Sequence, residues 1–508
     1  MLDNDSLLQI FGHYRLNYED DWNLRLKWRK LTHVCRRWRS IIFDSWFHLD
    51  IRLHLTITGS PHSVDTLSYL PPLPLIIEYS TETTIQRDED NIHLGLQQHG
   101  RVCRIALRAP SSCLRIWLEP MGVLYPRLEY LSLSSTTIEA TNPMLPEALW
   151  APDLRYLALH GIGLPKGLPL LSSAITLSSL SLTDIRVSCY FPPVDLVTQL
   201  QGLPHLEELT IGFAIPIHLP TAPSSEGDLL PFPILSATLP ILRRLTFRGV
   251  DIYLDNLVAQ INAPLLERLT LTLFFDTTLT LVNLTEFVSR IEGFELECPA
   301  ARIDFEGDSV SIDAGQYEQQ GLQVGKLSFR VSCEGLDWQL DSAAQVCSAL
   351  RKVMSTVEDL TLDLDTYQMP LDWENTRDDM LWNELLLLFR GVKKLHIDDP
   401  LLTLNVSQAL ESVTGGLVLE LLPELQELDA ELKTDRVRKA ISTFVESRQS
   451  VGRPVHLPGL ARDVLHTEPE TSHVEPEVSH TNPEKRLRQW LRGLRRTEET
   501  EGGEEREK

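Results

Sequence analysis

The sequence lacks the features that would assign it at once to a membrane or an enzyme class. No apolar run approaches the roughly 18 residues that a membrane-spanning helix needs, so a membrane is not an expected partner. The first residues include acids rather than a basic and apolar leader, and we expect no signal peptide. No HExxH, GxSxG, Walker or complete GxGxxG motif occurs. We therefore expect a chain that is not an enzyme and that uses no catalytic residue, cofactor or metal.

Cysteine is sparse, and its spacing excludes a disulfide framework or a CxxC metal site. The seven cysteines, an odd number, stand at positions 35, 103, 113, 189, 298, 333 and 347. Several lie among apolar neighbours, which predicts buried free thiols. Free thiols are typical of a reducing compartment, so we expect a cytoplasmic and/or nuclear protein.

Acidic residues are missing from one N-terminal window, although the whole chain has a net charge of -24. Residues 23–43 contain no Asp or Glu and carry seven bases: Arg25, Lys27, Arg29, Lys30, Arg36, Arg37 and Arg39. This basic island is compatible with a solvated helix face, an acidic protein partner or a phosphate backbone. The overall negative charge disfavours nucleic acid, which we do not expect as a partner.

Two apolar patches occupy the same N-terminal region. Leu31, Val34, Cys35 and Trp38 are spaced i, i+3, i+4 and i+7, which predicts a stripe on a single helix. A second patch, at residues 7–11, has a candidate N-cap among residues 3–6. About 45 residues cannot build an independent core. A partner or the rest of the chain must therefore cover these side chains.

The two patches resemble an F-box, as found in F-box proteins that are abundant in mushroom-forming fungi. The resemblance centres on Val-Cys-Arg-Arg-Trp-Arg at residues 34–39. It implies that this region binds a Skp-type adaptor and, through it, the cullin of a ubiquitin ligase. The residues that it implies for adaptor binding are Leu2, Leu7, Leu8, Ile10, Phe11, Leu31, Val34, Cys35 and Trp38.

A repeated pattern follows the F-box-like region. Copies of Pro-x-Leu-x-x-Leu-x-apolar begin at Pro126, Pro152, Pro204, Pro240 and Pro264, and weaker copies occur near residues 102, 177, 357, 392 and 423. The central Leu or Ile falls at 105, 131, 157, 180, 209, 245 and 269. In Leu-x-Leu, two side chains point inward from a short strand and the one between them points outward. Stacked units would bury their apolar flanks in one core.

This pattern resembles irregular leucine-rich repeats. Helix-like stretches at 194–200, 255–261 and 343–350 separate the strands. Residues 276–355 fit the repeat poorly, and the candidate strands there are 294–296, 303–305 and 326–329. The resemblance implies an α/β fold, in which an N-terminal helical F-box precedes a leucine-rich-repeat-like solenoid of parallel strands and helices. We divide the chain into an F-box-like domain at 1–50, a connecting strand and helix region at 51–100, the solenoid at 101–450 and a disordered tail at 451–508.

The tail has its own pattern. Residues 451–484 mix Pro, Glu, Thr, Ser and His without periodicity, which predicts disorder. Residues 485–496 then predict a short basic amphipathic helix. Such a helix could remain solvated, enter a protein groove or lie on an anionic membrane.

The outward residues of the predicted strands are the candidate target-binding residues. They are Ser132, Ala158, Ser181, Thr210, Thr246 and Thr270, with Thr361 and His396 in weaker copies. Ser and Thr also suit exposed strand positions without any ligand. Residues 216–233 form a candidate rim loop, which could equally be inert.

Two functions fit these patterns. We expect the substrate-recognition subunit of an SCF-type (cullin-RING) ubiquitin ligase, whose F-box binds the Skp adaptor and whose solenoid binds an unknown protein target. The alternative is a leucine-rich-repeat scaffold without adaptor binding. Asp3, at a position where an F-box usually has Pro, and the long segment 12–30 permit that alternative.

Overall fold

A long, mostly parallel sheet organises the chain. Among the residues that the computed structural model describes, 15 strands form this sheet and two more strands form a small second one. The protein is therefore mixed α/β, as expected from the sequence. The structure describes residues 3–16, 28–46, 48–49, 52–55, 72–81, 86–137, 142–165, 169–214, 236–274, 278–291, 298–317, 323–333, 335–364, 379–412, 421–430 and 434–458.

The N-terminal region is helical, with helices α1 (Asn4–Leu16), α2 (Trp28–Thr32) and α3 (Arg36–Asp44). The carboxylate of Asp3 accepts a hydrogen bond from the backbone N–H of Ser6 at 2.7 Å, which confirms the N-cap predicted among residues 3–6. The same hydrogen bond lowers the pKa of Asp3.

The prediction of a single helix through residues 31–38 is wrong. Helix α2 ends at Thr32, and Cys35 has an extended backbone with φ -158° and ψ 168°. Its sulfur accepts a hydrogen bond from the N–H of Trp38 at 3.5 Å, so Cys35 is the N-cap of α3. The i, i+3, i+4, i+7 spacing of apolar residues continues across this break. Side-chain spacing does not show where the backbone hydrogen bonds of a helix end, so the pattern could not reveal the cap.

The first part of the sheet adds strands in chain order. These strands are β1 (Leu53–Leu55), β2 (Leu75–Ser80), β3 (Val102–Ala109), β4 (Tyr130–Ser135), β5 (Tyr156–His160), β6 (Ser179–Ile185) and β7 (Glu208–Phe213), and all neighbouring pairs are parallel. Helices α4 (Gln86–Gln97), α5 (Ser111–Leu118), α6 (Pro169–Ser173) and α7 (Pro193–Leu200) lie in the connections, with short 3-10 turns at Glu119–Met121 and Val187–Cys189. The helix predicted at 194–200 is thus confirmed.

Strand β7 is followed in the sheet by β9 (Arg244–Gly249) and β11 (Arg268–Phe274), again in parallel pairs. Helix α8 (Asp251–Val258) connects them. Strands β8 (Ala237–Thr238) and β10 (Ile261–Asn262) form the small separate sheet. The bounds predicted for this helix, 255–261, are wrong at both ends. The observed α8 begins at Asp251 and ends at Val258, and Ile261 belongs to β10.

The predicted central residues of the repeat copies are direct neighbours across the sheet. Ile105 pairs with Leu131, and the same register continues through the central Leu residues 157, 180, 209, 245 and 269. All of these side chains are buried. Burying a leucine contributes about 1.5–3 kcal/mol, so the alignment explains both the register and much of the stability of this region.

The order of the strands reverses after β11. Helix α9 (Val282–Ser289) leads to β12 (Ala300–Phe305), β13 (Ser309–Tyr317) and β14 (Gln323–Ser332), which stand in the order β11-β14-β13-β12. Strand β13 is antiparallel to both of its neighbours. The strands predicted around 303–305 and 326–329 are confirmed, β13 was not predicted, and the candidate strand at 294–296 lies outside the described residues.

The C-terminal part restores the parallel order with β15 (Asp359–Leu364), β16 (Lys394–Ile397) and β17 (Glu427–Ala430). Its helices are α10 (Leu336–Ala349), α11 (Arg351–Met354), α12 (Asp379–Leu386), α13 (Pro400–Ser412) and α14 (Asp435–Ser450). The helix predicted at 343–350 corresponds to the last part of the longer α10, which ends at Ala349. The core residues of helices and strands form one cluster that extends from Leu7 to Val455.

Structure continues past residue 450, where disorder was predicted to begin. Residues 451–458 add a short extended segment in which the N–H of His456 donates to the carbonyl of Gln426 at 2.8 Å, and Val455 is buried. Backbone pairing with the end of the sheet therefore overrides the polar composition of this segment. The rest of the tail, including the predicted helix at 485–496, lies outside the described residues.

Candidate functional site

The outward residues of the parallel strands form one continuous row. Register pairs join all six predicted target-binding residues in sequence: Ser132, Ala158, Ser181, Thr210, Thr246 and Thr270. Neighbouring strands are about 4.8 Å apart, so the six positions extend over roughly 24 Å. Ser328 of β14 continues the row beyond Thr270. We call these residues the central row; their small side chains leave space for a partner surface. The candidate rim loop at 216–233 lies outside the described residues.

An aromatic ladder lies beside the central row at the β3 to β5 end. The rings of Tyr130 and Tyr156 are stacked, with centroids 4.3 Å apart and planes 3° from parallel. The guanidinium of Arg104 lies 3.5 Å from the centre of the Tyr130 ring and donates to Glu78 at 2.6 Å. Burial raises the pKa of Tyr156, and the neighbouring Tyr130 raises it further. A Tyr directly before the central Leu in two successive copies was a sequence signal for this ladder, and the repeat analysis missed it.

Arginines flank the central row on β9, β11 and β14. This basic sector contains Arg244, Arg248, Arg268 and Arg330. Arg330 makes a bidentate pair with Glu306, with N–O distances of 2.7 and 2.9 Å. Arg244 pairs with Glu208 on the neighbouring strand β7. The carboxylates offset only part of the positive charge in this sector.

Carboxylates dominate the outward positions of β12, β13 and β15 to β17, which we call the acidic sector. Arg302 pairs with two of them, with Asp304 at 2.6 Å and with Asp363. Burial raises the pKa of Asp304, and the neighbouring Asp363 also raises it. The predicted outward residues Thr361 and His396 are direct register partners in this sector, but Thr361 is buried, whereas His396 is partly exposed.

The imidazole of His396 bridges two further carboxylates of the acidic sector. Its Nδ1 lies 3.2 Å from Asp429, and its Nε2 contacts Asp398. A neutral imidazole has only one N–H, so it can donate to one of these carboxylates at a time. Asp399 is buried and caps helix α13 by accepting from the N–H groups of residues 401 and 402 at 2.7 and 3.2 Å.

The N-terminal helices separate the proposed adaptor-binding residues into three groups. Leu7 and Phe11 are buried, whereas Leu8, Leu31 and Trp38 are partly buried. Ile10 and Val34 are 47% and 58% exposed, and Cys35 is also exposed. Leu2 lies outside the described residues. The buried pair packs inside this helical region, whereas Ile10, Val34 and Cys35 are accessible from outside.

Polar and aromatic contacts hold these helices together. The rings of Phe11 and Trp38 meet edge to face, with centroids 4.9 Å apart. Two bases of the basic island take part in the packing. Arg37 donates to the side chain of Asn4 at 2.9 Å, and Arg39 donates to the carbonyl of Thr32 at 2.9 Å. These two guanidinium groups therefore have structural partners.

The cysteines are free thiols, six of them buried and Cys35 exposed. The prediction of buried free thiols is thus confirmed for six cysteines, whereas Cys35 is exposed and caps α3. Burial raises the pKa of Cys298 and of Cys333 to about 11. At neutral pH these thiols stay protonated, which suits packing rather than nucleophilic chemistry.

Within the described ranges, no group of three or more His, Cys, Asp and Glu side chains is arranged to hold a metal ion. None of the described helices is long and apolar enough to cross a membrane. No protein-family model and no curated protein matches the chain.

Proposed function

We propose that the chain is the substrate-recognition subunit of an SCF-type cullin-RING ubiquitin ligase. In this proposal the N-terminal helices form an F-box that binds a Skp-type adaptor, and the strands and helices after it form a leucine-rich-repeat-like solenoid. The outward face of the sheet binds a protein target. The chain itself supplies recognition rather than catalysis, because the ligase's other subunits would perform the transfer.

The observation that carries the adaptor half is the exposure of apolar side chains on a small helical region. Ile10 and Val34 are 47% and 58% exposed, although Leu7 and Phe11 beside them are buried. These exposed side chains lie in the region that resembles an F-box, and the combination supports a protein partner at these helices. They also restrict the proposed contact to Ile10, Val34 and Cys35, with Leu8, Leu31 and Trp38 at its margin.

The target half is supported by the central row. Its small side chains remain in register from β4 to β14, and charged and aromatic side chains flank them. Polar groups around a flat centre are typical of reversible protein interfaces. The row is also long enough to accommodate an extended segment of about seven residues.

Adaptor binding can be tested by co-expression with a Skp adaptor, pull-down and measurement of affinity. The full chain should be used, because the N-terminal helices share the main core and a truncated chain would expose it. The double variant Ile10→Asp/Val34→Asp should bind the adaptor at least about 30-fold more weakly, since two apolar contacts of hot-spot strength are lost. Leu7 and Phe11 are unsuitable for this test because their replacement would also disturb folding.

Val282→Asp is the matched control, because Val282 is 75% exposed and lies far along the chain on α9. It introduces the same kind of charge and should leave adaptor binding unchanged. A folded full-length chain that does not bind a Skp adaptor would contradict the proposal. That result would favour a scaffold that uses the sheet face alone.

A further inference from the structure

The acidic sector concentrates negative charge on one part of the sheet face. Direct register pairs place its residues side by side: Arg302 with Thr361, Asp304 with Asp363, and His396 with Asp429. Seven carboxylates and two permanent cations point outward here: Asp304, Asp313, Asp359, Asp363, Asp398, Glu427 and Asp429 against Arg302 and Lys394. The carboxylates therefore outnumber the cations that could neutralise them.

The local contacts show how the available cations are shared. Arg302 serves both Asp304 and Asp363, and the imidazole of His396 stands between Asp398 and Asp429. The side chains of Asp363, Asp398 and Asp429 remain 29%, 39% and 41% exposed, so a partner can reach them. Additional cations would reduce the repulsion among these carboxylates.

The rest of the face fixes the position of such a partner. Arginines at outward positions 244, 248, 268 and 330 form the neighbouring basic sector, where a basic segment would be repelled. The net charge of -24 on the whole chain attracts basic molecules over a longer range and speeds their encounter. Charge complementarity thus selects both the chemistry of the partner and the end of the sheet that it contacts.

We infer that the acidic sector binds an Arg- or Lys-rich segment of a protein target, which lies across β12, β15, β16 and β17. The inference rests on the proposed function in that it identifies the target's chemistry at the same sheet face. The basic side chains of the segment pair with Asp363, Asp398 and Asp429.

A direct test uses a fluorescein-labelled peptide of 12 alternating Arg and Ser residues as the probe. Its extended length of about 40 Å exceeds the roughly 20 Å across the five strands of the sector, so it can reach all of them. Fluorescence anisotropy with the full chain should show binding that weakens as salt rises from about 50 to about 300 mM. Asp363→Asn/Asp429→Asn should weaken binding about tenfold at low salt, because two exposed charge pairs are lost while the side-chain shapes are kept. A Glu-Ser peptide of equal length should not bind.

The matched control is Glu384→Gln/Glu446→Gln, which removes the same charge from exposed positions on helices α12 and α14. It should retain the affinity of the parent chain. Equal losses in both double variants would overturn the inference, because they would show attraction to net charge alone. Failure of the Arg-Ser peptide to bind, or preference for the Glu-Ser peptide, would also overturn it.

Zero-length crosslinking locates the contact. A Lys-Ser peptide coupled by a carbodiimide should attach to Asp363, Asp398 or Asp429, whereas attachment confined to the acidic residues 498–507 would overturn the inference. The Skp pull-down separates this outcome from the proposed function, because Asp363→Asn/Asp429→Asn should bind the adaptor normally. Peptide binding without adaptor binding would leave the charge complementarity standing and refute the ligase role.

Discussion

Replacement of Arg448 by Met should destabilise the C-terminal end of the sheet. Arg448 lies on α14, and its side chain is fully buried. Its guanidinium donates to the carbonyls of Leu422, Pro423 and Leu425 at 3.1, 3.2 and 3.1 Å. These carbonyls belong to the turn that precedes β17. One side chain therefore fixes α14 to the last strand of the sheet.

The size of the expected loss in stability depends on which of these carbonyls would lose a hydrogen-bond donor. The carbonyl of Leu422 also accepts from the backbone N–H of Leu425, and that of Pro423 also accepts from Arg453. The carbonyl of Leu425 depends more heavily on Arg448. A hydrogen bond from a charged donor contributes about 1.5–3 kcal/mol, and relief of the desolvation of the buried cation offsets part of the total loss. We expect Arg448→Met to lower the free energy of unfolding by about 3 kcal/mol.

Urea denaturation followed by circular dichroism measures this loss, and hydrogen exchange shows where it occurs. Amide protection should fall first in residues 421–430. Arg436→Met, an exposed substitution on the same helix, is the control and should change stability by less than about 0.5 kcal/mol. Arg448→Lys should lie between the two, because it keeps the charge but loses the planar arrangement of donors. Equal stability of Arg448→Met and Arg436→Met would refute the reasoning.

Three further substitutions test other parts of the structure. Asp255→Ala removes an acceptor 2.8 and 3.0 Å from the N–H groups at the start of α9 and should cost about 2–4 kcal/mol in urea denaturation, whereas Asp255→Asn should cost less. Gly249→Ala places a methyl group 2.7 and 2.8 Å from two phenylalanine rings and should cost about 1–3 kcal/mol, whereas Gly100→Ala, with open space around it, should be neutral. Burial raises the pKa of Cys298 to about 11, whereas an unfolded cysteine has a pKa of about 9.0. The contribution of the protonated thiol to stability is therefore complete below about pH 9 and is lost as pH rises to 11. Between these pH values the parent chain should lose about 2–3 kcal/mol more stability than Cys298→Ala, and parallel stability curves would contradict this assignment.

The sequence predicted the parallel part of the sheet well because one physical signal repeats there. Every copy places a buried Leu or Ile at the centre of a strand, and residues 131, 157 and 180 are direct neighbours in the structure. A shift by one residue would move these leucines to the outward face, which makes the register unambiguous. The positions of the outward residues follow from the same alternation, so Ser132 and its partners could be assigned without coordinates.

The reversal at β12 to β14 could not be predicted in this way. Alternation identifies a strand at 303–305 but does not state which neighbour it pairs with or in which direction. Strand β13 has the outward residues Ser311 and Asp313 and reads as a polar segment. Its place in the sheet depends on pairing with both β12 and β14. Long-range pairing of this kind is a tertiary property that local patterns do not contain.

The N-terminal helices show a second limit of periodicity. The spacing of Leu31 and Trp38 fits one helix, yet the extended backbone at Cys35 divides it. Periodicity found the apolar residues and predicted that a partner or the rest of the chain covers them, and the structure leaves Val34 58% exposed. The difference matters for function, because an exposed Val34 can contact a partner without the helices having to separate.

The residues of the acidic sector do not form a cluster along the chain, so a search for charge runs in the sequence does not find them. Asp304, Asp363, Asp398 and Asp429 are far apart in sequence, and no charge run contains two of them. The register of the sheet places these residues close together on neighbouring strands, where their charges combine. A comparison of the outward residues of successive repeat copies would have shown the change in charge. These residues are Ser and Thr in the early copies and Asp and His in the late ones. The same spacing that identifies the buried leucines thus also identifies where the face changes its charge, and that change is what the Arg-Ser peptide is designed to detect.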